Sequence, residues 1–306
     1  MRPWPALLLA GTVLLAGCGP GLAGASETST ESGDDDESSS ESDAGSDTDT
    51  DSDSEGEDPS GGDPCEGYDP DCGEVPEGMV CVPAGRFEMG TAEFGEETLP
   101  IRQVCLPSFH IDRTEVTSED YAACEDAGAC EPASMNASCT SHEPGRGDHP
   151  INCVTWSMAH DYCEWVGKRL PTEAEWEKAA RGPKGRTHPW GEAAASCSYA
   201  VMQSPEGNHG CGTHGTSPVG TKPEGASIYG VLGMAGNVHE WCQDWVGSYD
   251  PDEIDDPQGP ETGTHRIMRG GDWYSQELGV ISGHRFTNFE PGDSSSTGGF
   301  RCVARP

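Results

Sequence analysis

Fourteen cysteines stand in a chain of 306 residues that also carries 42 glycines and 24 prolines. No other feature limits the possible folds so strongly. Disulfides persist in oxidising compartments, where they supplement a core that is thin in aliphatic side chains. Only 33% of the residues are hydrophobic, so a single apolar core through the whole length is excluded. Glycine and proline interrupt helices and strands, and a chain so rich in both must satisfy its buried amides through side chains, ions or disulfides. The formal net charge is -37, and the four lysines are scattered at 168, 178, 184 and 222. Nucleic acid is therefore excluded as a partner, because binding a phosphate backbone needs clustered bases.

The charge is unevenly spread. Residues 26–63 hold 16 acids and no Lys or Arg, with Ala44 as the single aliphatic side chain. Such a tract cannot bury enough surface to offset its ordering entropy and is expected to be a disordered, self-repelling tether. Ahead of it, Arg2 precedes an apolar run over 6–16, too short for a mature membrane span and suited to a secretory signal. The run closes on Leu15-Ala16-Gly17-Cys18, which resembles the lipobox of bacterial lipoproteins. That resemblance implies cleavage after residue 17, acylation of Cys18 and attachment to a membrane through the lipid. Gly19 resembles the pattern sorted to the outer membrane of Gram-negative bacteria. A plain cleaved signal with a chance cysteine is the alternative. The expected organisation is a signal peptide over 1–17, lipidated Cys18 and tether over 18–63, a Cys-containing collar over 64–76 and the main domain over 77–306.

Within the domain, alternation over 80–89 around a Pro83-Ala84-Gly85 turn reads as strand, as does 103–111. Thr117 opens a helix running to about 127. Ser157 is expected to cap a second, whose Ala159, Tyr162, Cys163 and Val166 recur at helical spacing. Thr172 and Glu175 form a capping box for a third over 173–181, stopped by Gly182-Pro183. Beyond it the sequence becomes Gly-, Pro- and Trp-rich loop.

Four stretches carry a family likeness: 78–90, 156–182 with its Gly167-Lys168-Arg169-Leu170-Pro171-Thr172-Glu173-Ala174-Glu175-Trp176-Glu177 block, Gly233-Met234-Ala235-Gly236-Asn237-Val238-His239-Glu240-Trp241, and Arg269-Gly270-Gly271-Asp272-Trp273 leading to Gly299-Phe300-Arg301-Cys302. In this order they resemble the sulfatase-modifying-factor family, whose founding members are formylglycine-generating enzymes. The resemblance implies an α+β, C-type-lectin-like fold with little regular secondary structure. It also implies a disulfide between Cys163 and Cys302. Arg169 is expected to pack its guanidinium on aromatic faces and bond carbonyls.

The family's oxidases hold Cu(I) on two cysteines, as a soft d¹⁰ ion requires. Those positions read Ser275 and Val280 here, the family's neighbouring serine reads Asp272, and its active-site Trp reads His239. Copper is therefore not expected. A family calcium site maps onto Gly233, Gly236, Val238 and Glu240, which lacks one carboxylate or amide and predicts weak binding at most. A second maps to 198–215, where a Cys197–Cys211 bridge is expected to have replaced the ion. Sequence proximity suggests the further pairs Cys65–Cys72, Cys81–Cys105, Cys124–Cys130 and Cys139–Cys153, leaving Cys242 free and buried. Histidines 188, 209, 214 and 239 lack metal-ligand spacing and are expected to face solvent or carbonyls.

The expected function is a membrane-tethered binding module for a protein, peptide or glycan. Asp272, Trp273, Tyr274, Ser275 and Arg285 are its candidate groove. The rivals are an oxidase with another ligand set or substrate, and a purely structural envelope protein.

Overall fold

The computed structural model describes residues 65–136 and 138–306. The expected signal peptide, Cys18 and the tether lie outside the described residues. Twelve short elements alternate with loops: β1 Met79–Val82, β2 Gly85–Met89, β3 Arg102–Leu106, β4 Phe109–Asp112, α1 Ser118–Asp126, α2 Trp156–Trp165, α3 Glu173–Arg181, β5 His239–Trp245, β6 Arg266–Arg269, β7 Arg285–Phe289, β8 Gly298–Gly299 and β9 Val303–Ala304. They form sheets in the orders β1-β4-β9, β2-β3 and β7-β6-β5-β8. All the strand pairs are antiparallel except β5 with β8. No helix among the described residues is long and apolar enough to cross a membrane.

The two expected strand regions are each divided. Residues 79–89 split at Pro83 into β1 and β2, and residues 102–112 split at Pro107 into β3 and β4. The halves then pair across, β1 with β4 and β2 with β3, in separate sheets. Cys81 lies opposite His110 and Cys105 opposite Arg86, so the expected Cys81–Cys105 bridge does not form. Cys65 joins Cys105 and Cys72 joins Cys81 instead. The collar is thus stitched to the domain rather than closed on itself. Tyr68 Oη adds a hydrogen bond to Asp255 Oδ1 at 2.7 Å. The Cys124–Cys130, Cys139–Cys153, Cys163–Cys302 and Cys197–Cys211 bridges form as expected, and Cys242 is free and buried.

Helix α3 organises the centre. Its sequence of Ala, Glu, Lys and Arg has high helix propensity, with acids in the first turn and bases in the last to complement the dipole. Both arms of the Thr172/Glu175 capping box form. Gly182, at φ 68°, ends it. All nine helix residues are buried, including five charged ones. Burial of charge is tolerated only with partners. Glu173 pairs with Arg285 and Arg269, Glu177 with Arg181 and Arg269, and Glu175 with Arg169. Lys178 Nζ donates at 2.8 Å to the carbonyls of Pro83 and Gly85, holding the β1–β2 turn. Arg181 donates to the carbonyls of Gly90, Gly185 and Arg186. Charged side chains thereby supply the partners that sheets would supply elsewhere.

Two details depart from expectation. Helix α2 is capped by Thr155, with Met158 N–H donating to its hydroxyl, and not by Ser157. Arg169 grips both oxygens of Glu175 at 2.6 and 2.7 Å and donates to Leu170 O, with no aromatic ring under its guanidinium among the described residues. The guanidinium sandwiched by aromatics is Arg266, 3.7 Å from the Trp156 centroid and 3.5 Å from that of Trp245.

Candidate functional site

The loop after β6 carries most of the expected groove. Gly270 and Gly271, both at positive φ, turn the chain sharply. A Cβ on Gly271 would meet Gly279 O at 2.4 Å, so the close approach requires glycine. Asp272 then folds the loop on itself, as Oδ1 accepts from Tyr274 N–H at 2.7 Å and from Ser275 Oγ–H at 3.1 Å. Its other oxygen, Oδ2, lies 2.9 Å from His239 Nδ1 at the start of β5. Burial alone would raise the Asp272 carboxyl; His239 and the donors of the loop outweigh it and hold the group below the usual range. The His239 ring stands edge-on to Phe286, centroids 4.0 Å apart.

Tyr274 is 57% exposed and stacks on His209 at 3.8 Å and 16°. Trp273 stands edge-on to both rings and donates from Nε1 to Ser296 O. The loop carrying His209 is fixed by the Cys197–Cys211 bridge and by Gly210 N–H to Trp273 O and Gln203 N–H to Ser275 O. Beside it, Met202, Gln203, Pro205, Gln276 and Glu277 line a cavity of about 380 Å³. His209 had no aromatic signature in the sequence; the bridge that pins its loop was the available signal.

Ser275 and Val280 are neighbours across this loop, with Gly279 packed on Ser275 and Val280 against Gly271. Ser275 Oγ is engaged by Asp272, and Val280 is buried with Ala200, Met202 and Ala235. Arg285 is not part of the groove. It is buried on β7, bonded to both oxygens of Glu173 and to the carbonyls of Glu97 and Gly247. A charged residue at a strand start suggests exposure only until its partner, 112 positions away, is known.

The donor set expected for calcium does not fit that ion. Both oxygens of Glu240 accept from Arg301 at 2.7 Å, and Trp176 Nε1 adds a third bond at 2.7 Å. A dication on this carboxylate would sit beside a buried guanidinium. Glu115 fills the space that a side chain at Gly233 would take, since a Cβ there would lie 2.4 Å from Glu115 Oε2. Of the expected histidines, 188 stacks on Trp190 at 4.7 Å and 209 on Tyr274, while 239 stands edge-on to Phe286.

Residues 67–306 match the family model described as the sulfatase-modifying factor enzyme 1-like domain. The chain belongs to the sulfatase-modifying-factor family. It is 33% identical over 302 aligned positions to a formylglycine-generating enzyme of Thermomonospora curvata, covering 76% of this chain and 95% of that one. It is 38% identical over 246 positions to the serine/threonine-protein kinase pkn1 of Chlamydia pneumoniae, covering 74% of this chain. The chain spans only 37% of that kinase's length. Among solved structures, variable protein 1 of Treponema denticola superposes with a TM-score of 0.63 at 26% identity, covering 74% of this chain and 95% of that one. The sulfatase-modifying-factor domain here thus has the family's α+β, C-type-lectin-like fold, stabilised by six disulfides.

Proposed function

We propose that the chain is a lipoprotein tethered outside the cytoplasm by acylated Cys18, on a Gram-negative outer membrane, and that its domain binds a protein, peptide or glycan rather than oxidising one. The observation that carries this reading is the pairing of an exposed aromatic platform with a site whose two ligand positions are Ser275 and Val280. Tyr274, stacked on His209, offers an exposed aromatic face, and Gln203, Gln276 and Glu277 line a cavity of about 380 Å³ formed by the adjoining segments. An exposed aromatic face next to a cavity lined by amide and carboxyl groups suits sugars and peptide backbones. Ser275 has its hydroxyl committed to Asp272, and Val280 has no donor. Twelve of the described cysteines are in disulfides and Cys242 is buried, so a thiolate pair is not available among the described residues. The bridges also favour an oxidising compartment. The match to only part of a chlamydial kinase supports a module that serves within larger chains. Calcium has no part in this reading.

The test is to screen the immobilised full chain against glycan and peptide arrays and repeat each hit with Tyr274→Ala. The reading expects a saturable ligand whose affinity falls about tenfold or more in the variant, as for an aromatic hot spot. Hits indifferent to Tyr274, or none, contradict it. An oxidase with a different ligand set is the second reading, favoured by the match to nearly the whole length of a formylglycine-generating enzyme.

A further inference from the structure

A second cavity, of about 240 Å³, opens between the β2–β3 hairpin, the start of α3 and the 247–260 loop, and shares no lining residue with the Tyr274 platform. Three guanidinium groups approach this region, and their situations differ. Arg269 and Arg285 are bonded to the carboxylates of α3. Arg102 is 9% exposed, yet its Nε and Nη1 have no hydrogen-bond partner and its Nη2 touches only Met89 Sδ at 3.8 Å. It lies over the Tyr249 ring at 4.1 Å, with Arg285 at 4.3 Å from the same centroid. Leaving donors of a buried charge unpaired is costly, and a lining cavity is where the missing acceptor would enter.

We propose that this cavity is a binding site for a small organic monocarboxylate, its charge met by Arg102. The walls choose among anions. Met89, Ala174 and Pro260 are apolar and suit a short carbon skeleton rather than an inorganic ion. Asp250 and Glu253 at the mouth repel a second negative charge, which disfavours phosphate and sulfate. Asp244 supplies a second handle. Its Oδ2 accepts from Glu173 N–H, while Oδ1 faces Gly259, where a Cβ would come within 2.9 Å. Burial pushes the Asp244 carboxyl well up, with Glu173 adding to the rise, a shift toward the protonated form that donates rather than accepts a hydrogen bond. Burial also lowers Arg102, a pull that a bound anion relieves.

Calorimetric titration of the full chain with sodium butyrate tests the site, with sodium phosphate and sodium sulfate as rivals at constant ionic strength. N-acetyl-glutamate amide, run alongside, presents the same carboxylate on a peptide unit; the tighter of the two reveals whether a free acid or a partner's side chain is the source. Arg102→Met is expected to weaken carboxylate binding about tenfold or more, the loss of a charge-assisted pair. Glu253 is exposed, so Glu253→Gln leaves the fold alone and is expected to tighten binding about threefold by removing a repulsive charge. No saturable carboxylate binding, preference for phosphate or sulfate, or affinity unmoved by Glu253→Gln would each overturn the proposal.

Discussion

Arg301 and Glu240, 61 positions apart, meet in a two-pronged ion pair at 2.7 Å with both side chains fully buried. The contact joins β5 to the segment after β8. It also consumes the carboxylate that family likeness marks for calcium. Glu240→Gln would leave a buried guanidinium short of its counter-charge, so a loss of about 3–5 kcal/mol of unfolding free energy is expected. Denaturant titration measures it. Millimolar calcium, the range of extracellular modules, is expected to leave wild type and variant unchanged. A calcium-dependent rise in wild-type midpoint would contradict this.

Glu115 predicts a pH dependence of defined sign. Its Oε1 accepts from Asn237 Nδ2 at 2.8 Å, while Oε2 is buried without a partner. Burial pushes the carboxyl up to about 7 against the pull of Arg301 and with help from Glu240. The folded pKa lies above the ordinary glutamate value of 4.5, so the folded state holds the extra proton between those two pH values. The stabilisation is fully present below the lower pH and lost as pH rises through the upper one. Glu115→Gln is therefore expected to be more stable than wild type near about pH 8, by up to about 3 kcal/mol, and to lose that advantage near about pH 4. Paired denaturation curves at the two pH values decide it; an advantage that grows toward acid would refute the assignment.

The collar pairing is checked by peptide mapping under non-reducing conditions. Cys65–Cys105 and Cys72–Cys81 peptides are expected, and Cys65–Cys72 with Cys81–Cys105 would contradict the strand crossing. Removing Cys65–Cys105, which spans 40 positions, is expected to cost about 2–4 kcal/mol.

Cys242 is predicted to be inert. Burial pushes its thiol well up, and Asp244 and Glu173 add to the shift. Iodoacetamide near about pH 8 should leave the Cys242 peptide unlabelled in the native chain and label it fully in denaturant. Equal labelling in both states would contradict its burial.

Much of this architecture was legible where local chemistry acts alone. The Thr172/Glu175 box specified α3, because both bonds of the cap lie within one helical turn. Cys163 with Cys302 followed from family likeness, although 139 positions separate them. What proximity could not reveal was the splitting at Pro83 and Pro107, which moved Cys81 and Cys105 into separate sheets. Arg285 was misplaced for a related reason, since a lone arginine in a loop-rich stretch gives no sign of Glu173 far upstream. At the candidate site, Asp272 to Ser275 lie on the one loop after β6. The stacking of His209 on Tyr274 was less legible: the expected Cys197–Cys211 bridge pins the loop, but nothing local says which ring the loop meets.

The central claim is that this family member binds without oxidising. The most direct test incubates the full chain with copper, oxygen and a sulfatase-type Cys-x-Pro-x-Arg peptide, beside an active formylglycine-generating enzyme, and seeks the aldehyde by mass spectrometry. The account predicts unmodified peptide from this chain and formylglycine from the control. Formylglycine made by this chain would contradict it, and would mean that the Ser275 and Val280 positions do not mark the active site.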